Sequence, residues 1–86
     1  MQRGWVVSPD YRSLIGAISA TRLELGISQR EMARRLNKPP SFVNKIEQLE
    51  RRLDVLEFIA IANALSIDPT DLLTRVLAKL PNKIEL

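Results

Sequence analysis

The 86-residue sequence has no cysteine and no histidine. Those absences remove disulfides, thiolate nucleophiles, imidazole bases and nearly all zinc sites. An enzyme would have to work with carboxylates alone, and no paired acidic residues stand where they would suggest a cleft. The expectation is a protein that is not an enzyme and carries no cofactor. Long apolar runs are missing too. None approaches the roughly 20 residues of a membrane span, and Met1 to Ser8 lacks the apolar stretch of a signal peptide. The expected compartment is cytoplasmic, with no membrane partner. There is no internal repeat and no low-complexity linker, and the expectation from this length is one domain with no room for a separate ligand-sensing unit.

Charge is unevenly distributed. Between residues 28 and 52, Arg30, Arg34, Arg35, Lys38, Lys45, Arg51 and Arg52 outnumber Glu31, Glu47 and Glu50. Between 53 and 78 only Arg75 stands against Asp54, Glu57, Asp68 and Asp71. A basic side that binds a polyanion explains this split; an ordinary solvated surface explains it as well.

Residues 1–10 read as an arm, because Gly4 and Pro9 discourage a helix; Trp5 is expected to pack against the domain. A first helix is predicted from about Asp10 to Leu25, with Tyr11, Leu14, Ile15, Ile18, Thr21 and Leu25 on one face. Gly26 suits a left-handed terminator. Ser28 caps a second helix, and Glu31 three residues on predicts a capping box. Met32, Ala33 and Leu36 face inward; Arg30, Arg34 and Arg35 face outward. Asn37-Lys38-Pro39-Pro40 breaks the chain, and Pro40 suits the first turn of a third helix to about Gln48. Its inner side is Val43, Ile46 and Phe42; its outer side is Ser41, Asn44, Lys45 and Gln48. Asp54 caps a fourth helix to about Leu65, apolar on most of its circumference. Such a helix is usually buried on more than one side. A fifth helix runs from Pro69 or Thr70 to about Leu80, with Leu72, Leu73, Val76, Leu77 and Leu80 as its stripe. Pro81 stops it, and the tail through Leu86 has an extended pattern.

Two short helices joined by a tight break, the second with a polar and basic face, form the arrangement that places one helix in a DNA major groove. The residues also match a family. Leu25-Gly26-Ile27-Ser28-Gln29-Arg30-Glu31-Met32-Ala33 and Ser41-Phe42-Val43-Asn44-Lys45-Ile46-Glu47 resemble the helix-turn-helix of the lambda-repressor-like (Xre/Cro) regulators. Glu50 to Val55 and Ala64 to Leu73 resemble that family's downstream segments, so the resemblance spans residues 11–74. It implies an all-α, five-helix DNA-binding domain whose second and third helices, about 28–48, form the motif. It implies that Gln29 grips a phosphate and braces the recognition helix. Pro40, Ser41, Asn44 and Lys45 stand where relatives contact base edges; Lys38, Arg51 and Arg52 stand where they contact the backbone. Arg22 and Glu47 occupy the positions of an ion pair tying the first helix to the third. Two positions depart from the pattern. Pro39 replaces a capping Ser or Thr. Leu49 replaces a glycine, and leucine's steric cost in left-handed geometry predicts a longer third helix or a different loop path.

Excess apolar surface on the fourth helix and at the end of the fifth predicts a homodimer through Ile61, Leu65, Val76, Leu77 and Leu80, with residues 75–86 as the dimerisation region. The other outcome is that this surface belongs to the single chain's core or is covered by the segment around Trp5. The function these expectations favour is a homodimeric repressor of a short palindromic operator in double-stranded DNA, working in the cytoplasm of a bacterium or phage host beside the nucleoid. The alternatives are an antitoxin that binds a toxin partner and its own promoter, and a protein-interaction bundle without DNA binding.

Overall fold

The computed structural model describes residues 7–86; the position expected for Trp5 lies outside them. The helices are α1 (Pro9–Glu24), α2 (Gln29–Arg35), α3 (Pro40–Glu47), α4 (Val55–Ala64) and α5 (Pro69–Leu77), and no strand occurs among the described residues. The protein is therefore an all-α, five-helix domain. The tail forms no strand either; the Glu85 N–H reaches back to the Asp10 carboxylate at 3.3 Å.

Helix starts follow from short polar side chains. Ser8, Ser28, Asp54 and Asp68 each accept a backbone N–H of the first turn, satisfying a donor that the helix itself leaves open. α1 begins inside the segment expected to be an arm, because Pro9 sits at a first-turn position where its missing N–H is not needed. The capping box expected at Ser28 is half formed. Ser28 accepts from the Glu31 N–H, but Glu31 directs its carboxylate to Arg34 and Arg35 instead. The complete box is on α4, where Asp54 and Glu57 cap each other's backbone. Pro39 precedes α3 with no side-chain cap.

Four helices end the same way. After α1, α2, α3 and α4, a residue with positive φ (Gly26, Asn37, Leu49, Ser66) turns the chain. The next N–H then bonds back five residues: Ile27 to Arg22, Lys38 to Ala33, Glu50 to Lys45 and Ile67 to Ala62. These paired closures satisfy carbonyls left open by the last turn. Leu49 thus takes the glycine-like path, with φ 63°, contrary to the expected extension or detour. The reason is burial: its side chain is 6% exposed in the core, and burying a leucine is worth about 1.5–3 kcal/mol, enough to offset a left-handed strain of about 1–2 kcal/mol.

The core gathers Ile15 and Ile18 of α1, Met32 and Ala33 of α2, Val43 and Ile46 of α3, Ile61 and Ala62 of α4, and Leu72 and Val76 of α5. α3 packs against α2 and α1; α5 packs against α1 and α4. This corrects three expected subunit contacts. Ile61, Leu65 and Val76 are core residues of the single chain, 0–2% exposed, with no surface left to offer a partner. α4 is apolar on most of its circumference: its inner side meets this core, while Val55 and Leu56 stand out in solvent. The expected inner face of α1 ends early, since Leu25 caps the helix and is exposed.

Candidate nucleic-acid interface

α3 is amphipathic by its spacing. Val43 and Ile46 are buried, while Ser41, Asn44, Lys45 and Gln48 are exposed on the opposite side. Pro40 and Lys38, just before them, are also exposed. The outward set carries a hydroxyl, an amide and an ammonium, the group types that can donate to or accept from base edges. Among the described residues, no hydrogen bond or ion pair engages the side chains of Ser41, Asn44 or Lys45.

What holds this face still is a buried carboxylate. Glu47 accepts Arg22 Nε at 2.7 Å and Arg22 Nη2 at 2.9 Å, a bidentate pair between α3 and α1. It also accepts Gln29 Nε2 at 2.9 Å and Ser19 Oγ at 3.3 Å. Arg22 is 6% exposed and gives a further hydrogen bond to the Ile27 carbonyl at 2.7 Å. Burial pushes the Glu47 carboxyl up, but the hydrogen bonds from Arg22 and Gln29 outweigh it and hold the group below the usual carboxylate range. One residue of the recognition helix is thus tied to α1 and to the first residue of α2. Arg22 and Glu47 were expected as a pair; Ser19 was not, although its place three residues before Arg22 puts it on the same side of α1.

The flanking cations are held differently from one another. Two of them lie over the Phe42 ring, with Lys38 Nζ 5.5 Å and the Arg51 guanidinium 4.7 Å from its centroid. Arg51 also makes a bidentate pair with Glu57, at 3.0 and 2.5 Å. Arg52 stacks over the Tyr11 ring at 5.0 Å, and the Tyr11 hydroxyl accepts the Leu53 N–H at 3.0 Å. These contacts fix the loop between α3 and α4. Nothing in the sequence marked Tyr11 for this task; Glu57 was missed too, although its place three residues after Asp54 is the spacing of a capping box. Arg35 is exposed, as expected, and its Nη1 also donates to the Ala64 carbonyl at 2.8 Å, tying α2 to the end of α4.

Away from this face, Val55, Leu56, Ile59, Leu73 and Leu77 are exposed. Val55 and Leu73 line one apolar groove with Leu14, Leu53 and Phe58. Leu77 follows Leu73 by one helical turn, and Leu80 is half-buried. Among the described residues, no group of acidic residues is arranged to hold a metal ion and no helix is long and apolar enough to cross a membrane.

The sequence model of the family described as Helix-turn-helix matches residues 18–72. An XRE-family like protein from Pseudomonas syringae pv. tomato str. DC3000 superposes with a TM-score of 0.75 at 42% identity, covering 84% of this chain and 88% of that one. The restriction-modification controller protein C.Esp1396I superposes with a TM-score of 0.78 at 20% identity, over 85% of this chain and 96% of its own. The clp gene regulator ClgR from C. glutamicum gives 0.74 at 17% identity, over 90% and 100%. The last two likenesses concern the fold. No curated protein sequence matches the chain.

Proposed function

The chain belongs to the lambda-repressor-like (Xre-type) helix-turn-helix family of DNA-binding transcriptional regulators, and from that premise we propose that it is a homodimeric repressor of a short palindromic operator. The observation that carries this reading is the pairing of an exposed Ser41–Asn44–Lys45 face with a Glu47 anchor that fixes the helix bearing it. Lys45 donates to guanine O6 and N7, Asn44 pairs with adenine N6 and N7, and Ser41 and Pro40 meet neighbouring base edges. Gln29, Lys38 and Arg52 meet phosphates on either side. Gln29 Nε2 carries two hydrogens, so it can donate to Glu47 and to DNA together. The role requires no catalysis.

One recognition helix touches only a few base pairs; two held about 34 Å apart read a palindrome. The exposed apolar residues Val55, Leu56, Ile59, Leu73 and Leu77 support a two-fold contact, and they replace Ile61, Leu65 and Val76 as its candidate residues. The test is selection of bound sequences from random DNA, with the wild type and with Lys45→Ala. The expected outcome is a palindromic preference that relaxes at one symmetric position per half-site in the variant, at a cost of about 1–3 kcal/mol per half-site. A uniform loss over all sequences would make Lys45 a phosphate contact, and no preference in the wild type would overturn the reading.

A further inference from the structure

Arg51 is placed beside the recognition helix but is already occupied. Its guanidinium lies over Phe42, makes two hydrogen bonds to Glu57 and donates a third to the Arg52 carbonyl. Glu57 is held in turn, because its carboxylate accepts the Asp54 N–H at 3.0 Å while Asp54 caps the Glu57 N–H at 2.7 Å. The acid therefore cannot swing away without breaking its half of the capping box. It also shares the rim of a small cavity with Lys38 and Phe42, so it faces the second cation of the stack as well. The hydrogen bonds from Arg51 hold the Glu57 carboxyl below its ordinary range, so it is fully charged at neutral pH.

We infer that Glu57 is an internal competitor for the DNA backbone: it keeps Arg51 from serving as a phosphate contact and so sets the strength and salt dependence of DNA binding. A carboxylate and a phosphate both suit the guanidinium fork, and Glu57 is already seated when DNA arrives. Arg51 is then a positioning residue that holds Phe42 and the loop, and contact with phosphate on this side falls to Arg52 and Lys38. This rests on the DNA-binding reading above and refines the set of residues that touch the backbone.

The test uses Glu57→Gln. Glutamine suits the third position of a capping box, so the start of α4 is kept and a melting curve checks it. Binding is measured by fluorescence anisotropy on a mixed-sequence duplex of about 30 base pairs, room for two half-sites one turn apart, over a salt series. The expected result is binding several-fold tighter at low salt, with log Kobs falling more steeply against log salt by about 0.9 for each subunit that gains a phosphate. Arg51→Gln should change the slope little in the wild type and should abolish the gain in Glu57→Gln. A gain that persists without Arg51 would overturn the inference, because it would reflect only the lost negative charge. An unchanged slope in Glu57→Gln, or a full loss of slope in Arg51→Gln alone, would overturn it too. If the wild type itself fails to bind any duplex, it is the DNA-binding reading that falls.

Discussion

Leu49 and Ser66 share one backbone geometry and opposite surroundings. Both have positive φ at a helix end, but Leu49 is buried while Ser66 is exposed. Glycine adopts this geometry without steric penalty. Ser66→Gly should therefore relieve strain with nothing lost from the core, stabilising the fold by about 0.5–1 kcal/mol after the added freedom of the unfolded chain is counted. Leu49→Gly relieves the same strain but removes a buried side chain, for a net loss of about 1–3 kcal/mol. Thermal melts of the two variants should move in opposite directions. A loss in Ser66→Gly would show that its left-handed geometry is not strained.

At the scale of the element, α3 depends on Glu47. Glu47→Ala leaves the buried Arg22 without its bidentate partner, which should destabilise the domain by about 3–5 kcal/mol and weaken DNA binding through loss of the folded state. A melting curve equal to wild type would sink that account. Acid should act on the same point. Because folding depresses the Glu47 carboxyl, its contribution is complete above the unfolded value of about 4.5 and is lost as pH falls through the lower folded value. Stability should thus decline below that pH, and less steeply in Glu47→Gln. The elements themselves were legible in the sequence. Ser28, Pro40, Asp54 and Pro69 marked helix starts within a residue or two, and the outward spacing of Ser41, Asn44 and Lys45 was plain. What periodicity could not reveal was which side of an apolar helix meets the chain's own core. It therefore could not separate Ile61 from Leu56. Nor could it foresee that Leu49 would accept strain in exchange for burial, or that Glu31 would turn to two arginines, since both depend on neighbours supplied only by the folded chain.

For the whole molecule, the exposed leucines on α4 and α5 bear on assembly. Leu77 is 58% exposed at the end of α5, where a cation suits the helix dipole. Leu77→Lys should leave the single domain folded, since surface changes of this kind stay within about 0.5 kcal/mol, while setting like charges against each other across a two-fold contact. Light scattering should report a monomer, and affinity for a palindromic duplex should fall while a single half-site binds as before. An unchanged mass would move the contact elsewhere. The brevity of α3 has one more consequence. Eight residues fall short of the roughly 12–15 that a helix needs to stand alone in water, so the surface that meets the bases has no existence apart from the folded domain. Warming cannot blunt such a reader by degrees; the melting of the domain and the release of its DNA should be one event, a thermal fuse written into the length of a single helix.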